Sequence, residues 1–226
     1  MHDEGKFDLM SGDNSISDIN SSLERYNDFI NNEELNSFKA ILSKIEMKVD
    51  GRSYSQENTD IEISKIILKL LEKSKGSLEL QRILPSLSIK LCDFIFESIK
   101  EDYFKLLKSL YANFFAQMLF IYLSLEKRSY ILQRVCNEVD YLIDNKYGEC
   151  SVLFIIENDL TAKEKNYILN QLRPKILDLM QIPSFLRITE CLVALYPFQR
   201  ISYIINYALD NINEFILSKE GYFLIR

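Results

Sequence analysis

The sequence predicts an all-α solenoid, and three observations carry that prediction. A short stretch recurs: Gly76-Ser77-Leu78-Glu79-Leu80-Gln81 is followed by Phe115-Ala116-Gln117-Met118-Leu119-Phe120, Gly148-Glu149-Cys150-Ser151-Val152-Leu153, Phe185-Leu186-Arg187-Ile188-Thr189-Glu190 and Gly221-Tyr222-Phe223-Leu224-Ile225-Arg226. Taking its second residue as an anchor gives 77, 116, 149, 186 and 222, intervals of 39, 33, 37 and 36 residues, and a period of this size marks a repeat architecture. The segment before each anchor repeats its own pattern. Ile67, Leu106, Val139, Ile176 and Ile212 stand ten residues before; Leu70, Ser109, Leu142, Leu179 and Phe215 stand seven before; Leu71, Leu110, Ile143, Met180 and Ile216 stand six before. Ser109 is the one polar residue in this set, and the spacing is that of one buried helical face. No alternating strand pattern or hairpin turn competes.

In order, residues 1 to about 17 are rich in Asp, Ser, Gly and Asn, a composition that predicts disorder. Two weak helical patterns follow, at 23–30 and 33–47, and Asp50 to Asn58 reads as a linker. We therefore place an acidic N-terminal segment at 1–59 and the repeats at 60–226. Unit one is read as helices 61–75, 78–84 and 87–100, and unit two as 103–111, 115–125 and 128–136. Unit three is 138–145, 149–157 and 162–172, with Thr161 as N-cap. Unit four is 174–181, 185–196 and 198–208, with Pro174 and Pro197 in first-turn positions. A fifth unit begins at 211 and reaches only Arg226, so the inner face of the last unit calls for more chain or another cover.

The 226 residues carry a net charge of −6. That excess lies in residues 1–59, with 12 acidic and 6 basic residues, which leaves 21 of each in 60–226. A neutral repeat region neither favours nor excludes nucleic acid. Cys92, Cys136, Cys150 and Cys191 have no CxxC spacing, and the lone histidine is His2, so free thiols are expected and no metal or cofactor. Cys92, Cys136 and Cys191 sit among apolar neighbours and read as core. The apolar run 114–125 contains Gln117 and is too short for a bilayer, which takes about 20 residues. The repeats lack histidine, a phosphate-cradling glycine loop and a carboxylate pair with a companion base, which argues against an enzyme. The lack of a basic cluster favours cytoplasm over nucleus or nucleolus. Oligomeric state leaves no mark in the sequence.

The recurring stretch resembles the Pumilio/PUF repeat, whose signature runs aromatic, Gly, Asn or Ser, aromatic or Arg, two apolar residues, Gln. Gly76-Ser77-Leu78-Glu79-Leu80-Gln81, Tyr147-Gly148-Glu149-Cys150-Ser151-Val152 and Glu220-Gly221-Tyr222-Phe223-Leu224-Ile225 carry the likeness. The resemblance implies a right-handed α-solenoid of about four and a half three-helix repeats that binds single-stranded RNA in post-transcriptional regulation, one base per repeat. The anchor and the residue four later would bond a base edge, and the residue after the anchor would stack between bases. Ser77 and Gln81 would favour adenine, with Leu78 beside them. Unit two, at Ala116, Gln117 and Phe120, supplies no base-edge reader, and Glu149 with Leu153 departs from the pattern, leaving Cys150 between bases. Arg187 would stack, Glu190 would accept from guanine, and Tyr222, Phe223 and Arg226 offer stacking and a cation.

Blander readings stand beside these. Ser77 reads equally as an N-cap and Gln81 as solvated, Arg187 and Glu190 as a surface pair, and Glu149 as a helix-start residue favoured by the dipole. Lys127, Arg128, Lys163 and Lys165 read as solvated charges or as phosphate contacts. The whole array reads alternatively as a scaffold for protein partners, or as a ribosome-assembly factor gripping structured RNA through its phosphates.

Overall fold

The computed structural model describes residues 57–180 and 182–213, together with Asn36, Lys39, Ala40 and Ser43, which are helical. The expected disorder of 1–17, the helix at 23–30, most of that at 33–47, and Tyr222, Phe223 and Arg226 lie outside the described residues.

The described chain is helix after helix, without a strand. Unit one comprises α1 (Glu57–Leu71), α2 (Ser74–Ile83), a 3-10 turn (Leu84–Ser86) and α3 (Ile89–Ile99). Unit two comprises α4 (Tyr103–Leu107), α5 (Ala112–Tyr122) and α6 (Leu125–Asn137). Unit three begins with α7 (Val139–Ile143) and α8 (Lys146–Glu157), and α9 (Ala162–Leu179) crosses into unit four, which ends with α10 (Pro183–Leu195) and α11 (Phe198–Asp210). First helices end at Leu71, Leu107, Ile143 and Leu179, a repeat of 36 residues. The middle helices α2, α5, α8 and α10 pack side by side in that order, while α6, α9 and α11 form a parallel outer layer.

The third helices start alike because their N-caps repeat. Ser88, Ser124 and Thr161 accept hydrogen bonds from the backbone N–H of Leu91, Lys127 and Glu164, satisfying donors that a helix start leaves orphaned. The expected Thr161 cap is present, completed into a capping box by Glu164. Pro197, expected inside the first turn, is itself the N-cap of α11, whereas Pro183 occupies the first turn of α10.

Pro174 does not start a helix. It lies inside α9, where its missing N–H deprives the Asn170 carbonyl of its helical donor, and both residues face solvent. Leu172, Ile176 and Met180, four residues apart and at most 1% exposed, bury one continuous face across it, which outweighs the lost bond.

Within this frame the core is aliphatic with an aromatic knot in units one and two. The Phe96, Tyr103 and Phe104 rings meet edge to face at centroid distances of 5.2 and 5.5 Å, and the Tyr103 hydroxyl donates to the Ala116 carbonyl at 2.8 Å. Cys92, Cys136 and Cys191 are buried as expected, and burial pushes the Cys136 and Cys191 thiols up to about 12. Cys150 is exposed.

Candidate nucleic-acid interface

Burial along the middle helices fixes the register of the repeat more firmly than sequence does. In α5 the buried residues include Ala112, Asn113, Phe115, Ala116, Gln117, Leu119 and Phe120. In α8 they are Gly148, Glu149, Ser151, Val152, Leu153, Ile155 and Ile156, each 36 residues later. The anchor of unit two is therefore Asn113 and not Ala116, and Gln117 is the residue four after the anchor rather than the one stacking beside it. The true intervals are 36, 36 and 37 residues, from Ser77 through Asn113 and Glu149 to Leu186.

The correction restores a missed motif. Tyr111-Ala112-Asn113-Phe114-Phe115-Ala116-Gln117 follows the whole Pumilio-type signature, with alanine in the glycine place. Asn113 and Phe114 are candidate site residues that the sequence reading passed over. The signal that would have found them is the aromatic residue before Ala112 and the glutamine four after Asn113.

One residue after each anchor the chain faces solvent. Leu78 is 45% and Phe114 56% exposed, Cys150 is exposed, and the Arg187 side chain is 62% exposed. These four make one row across α2, α5, α8 and α10, and two of them carry a planar face.

The anchors themselves point into the seams between units. Ser77, a helix-interior residue and not an N-cap, donates to the Tyr111 carbonyl at 2.6 Å, and Gln81 Nε2 donates back to Ser77 Oγ at 3.1 Å. Gln117 Nε2 donates to Asn113 Oδ1 at 3.2 Å and to Ser151 Oγ at 2.9 Å, and Ser151 in turn donates to the Leu107 carbonyl at 2.8 Å. Asn113 Nδ2 donates to the Ser109 carbonyl at 2.5 Å. In units one and two the anchor and the residue four later thus bond each other on one helix face, while Ser77 and Gln117 tie one unit to the next. Removing such a link costs about 1 to 2 kcal/mol when an acceptor is left buried, so Ser77→Ala is expected to lower the urea midpoint without changing the helix content seen by circular dichroism.

Units three and four are wired differently. Glu149, in the first turn of α8, accepts from Arg187 Nη1 at 2.9 Å. The Arg187–Glu190 surface pair, the alternative to a base contact, is not the pair formed, since Arg187 reaches across to Glu149 of the preceding unit. Leu153 and Leu186, both buried, occupy the remaining reading positions and offer a base edge nothing. Glu190 is half-buried.

Two of the four basic residues read as solvated, Lys127 and Arg128, find partners. Lys127 pairs with Glu97 at 2.5 Å, and this side-chain hydrogen bond holds its ammonium above the usual lysine range against a small opposing desolvation. Arg128 lies 2.9 Å from Glu164, with side chains 12% and 6% exposed, and its guanidinium stands over the Phe120 ring. Neither cation is held out for phosphate. No group of metal-binding side chains and no helix long and apolar enough to cross a membrane occurs among the described residues.

No family model matches the chain, and no curated protein matches it. Solved structures do. The chain is similar to the Puf4 RNA-binding domain bound to the HO endonuclease RNA 3′ UTR recognition sequence, with a TM-score of 0.61 and 20% identity over 70% of this chain and 49% of that one. It is similar to PUF-8 in complex with PBE-RNA, with a TM-score of 0.65 and 17% identity over 73% and 49%. It is also similar to the PUM-HD domain of S. pombe Puf1 in complex with RNA, with a TM-score of 0.57 and 18% identity over 94% and 53%. The chain spans about half the length of these domains. Its fold is that of the Pumilio/PUF RNA-binding domains, in a divergent sequence.

Proposed function

We propose that the chain binds single-stranded RNA along α2, α5, α8 and α10, with bases stacked on the row Leu78, Phe114, Cys150 and Arg187. The observation that supports this most is that one exposed residue follows each anchor at intervals of 36, 36 and 37 residues, the spacing a base-per-unit ligand needs. Base-edge contacts fall to units one and two, where Ser77 with Gln81 and Asn113 with Gln117 must exchange the bonds they make in the seams for bonds to a base. Units three and four contribute stacking and the Arg187 charge. The neutral repeats make few phosphate contacts, so the salt dependence is shallow. A post-transcriptional role in the cytoplasm accords with this reading.

The test is binding of the full chain to a random single-stranded RNA pool at low and physiological salt, followed by sequencing of the retained molecules. Enrichment confined to two or three adjacent bases supports the reading, and Phe114→Ala then weakens binding about tenfold, as loss of one base–aromatic stack does. Binding that collapses with salt and enriches nothing would replace base reading by phosphate gripping. No binding at either salt by a folded chain would favour a protein scaffold, which the anchors' engagement in the seams between units already accommodates.

A further inference from the structure

The outer layer holds a second polar site. Between α9 and α11 lies a cleft of about 250 Å³, lined by Arg173 and Asn170 from one helix and Gln199, Arg200, Ser202 and Tyr203 from the other. The Arg173 guanidinium stands 4.8 Å from the centre of the Tyr203 ring, and Arg200 Nη1 donates to Asn166 Oδ1 at the rim. The Tyr203 hydroxyl is buried and has no hydrogen-bond partner, a cost of the kind that a native structure bears where a ligand completes the bond. Burial pushes its phenol up, against a smaller pull from Arg173, so it stays a donor. The lining thus supplies two permanent cations and hydroxyl and amide donors, without a carboxylate.

We propose that this cleft binds the phosphoryl group of a phosphorylated side chain on a protein partner. Two guanidiniums match a group carrying a charge near −2, where a carboxylate would leave one unbalanced. Among the described units this cleft alone leaves its cations without a carboxylate. In the equivalent gap between α6 and α9, the third residue of the outer helix is Glu164 instead of Arg200, and Cys136 stands where Arg173 does. In the gap between α3 and α6 the same places hold Lys127 and Lys100, with Lys100 over the Tyr130 ring, but both lysines pair with Glu97. A nucleic-acid strand tracking the outer layer needs a phosphate contact in each unit, whereas a single phosphorylated residue needs one.

The experiment follows the arginine Nε–H signals of the full chain by NMR. The probes are a short peptide with one phosphoserine among glycine, alanine and leucine, its unphosphorylated twin, inorganic phosphate, and oligouridine. The phosphopeptide is expected to shift Arg173 and Arg200 and to bind at least tenfold more tightly than its twin. Arg173→Gln and Arg200→Gln each weaken it about tenfold, the effect of losing one charge-assisted hydrogen bond, and Tyr203→Phe weakens it severalfold at an unchanged unfolding midpoint. The proposal is overturned by an equal response to the twin, by no shift with any probe, by free phosphate binding as tightly as the peptide, or by oligouridine binding more tightly in a manner that Arg173→Gln abolishes.

Discussion

Glu164→Ala is expected to destabilise the chain by about 3 to 5 kcal/mol, the usual cost of leaving one buried ion-pair partner alone. Glu164 is 5% exposed and serves two neighbours at once. Its Oε2 accepts from the Thr161 backbone N–H and from the Thr161 hydroxyl, each at 2.8 Å, closing the start of α9. Its carboxylate also meets Arg128 of the preceding unit at 2.9 and 3.1 Å. Glu164→Gln keeps the capping geometry and loses only the charge, so it should fall between the parent and the alanine variant. Replacing the pair together, as Arg128→Met with Glu164→Leu, removes the stranded charge and should recover much of the loss. Urea unfolding of these proteins and of the single variants Arg128→Met and Glu164→Leu decides this, and a double variant as unstable as the sum of those two singles would mean that packing and not charge dominates.

Gly148→Ala should cost about 3 kcal/mol or more, as forced overpacking against fixed structure does. A methyl group there would lie 2.0 Å from the Leu142 carbonyl oxygen and 2.9 Å from its carbon, and backbone cannot swing aside. Gly76 meets the Leu70 carbonyl at the same 2.0 Å, so Gly76→Ala should behave alike. The molecule contains its own control. Ala112 occupies the same register in unit two, and there the first helix is joined to the middle one by residues 108–111, four in place of the two at 72–73 and 144–145. Over the same five residues from the end of the first helix this connection is less wound into helix and holds a methyl, so Ala112→Gly should cost only about 1 kcal/mol of helix propensity. Equal urea midpoints for Gly148→Ala and the parent would show that α7 and α8 can separate freely.

The same comparison explains which parts of the fold could be read from sequence. Helices and their buried faces were legible because Leu70, Leu142 and their counterparts repeat an apolar pattern that burial enforces. The anchor of unit two was not. Glycine marks the tight α1–α2 and α7–α8 turns, but Ala112 sits at a looser turn and carries no such mark, so the apolar run from Phe115 drew the frame three residues too far. The run through Pro174 misled for a related reason. A missing N–H is a local penalty, while the buried stripe Leu172, Ile176 and Met180 is a tertiary gain that no local rule weighs.

The candidate site was half legible. Leu78, Cys150 and Arg187 were found by register alone, yet their partners were not, because contacts such as Arg187 with Glu149 or Arg128 with Glu164 join residues 38 and 36 apart. Only the geometry of stacking decides which of several nearby charges meets which. Phe114 was hidden by the register error itself.

The unbroken α9 also bears on mechanics. Elsewhere two units meet through a short turn whose torsions can yield, so the angle between neighbours has some give. Between units three and four a single rod of 18 residues spans the joint, and apart from the one bond already missing at Pro174, bending it would break its internal ladder. The array is therefore hinged at its first two joints and clamped at the third, so that any change in curvature as a long ligand settles onto it must be taken up in the half that carries Ser77 and Asn113.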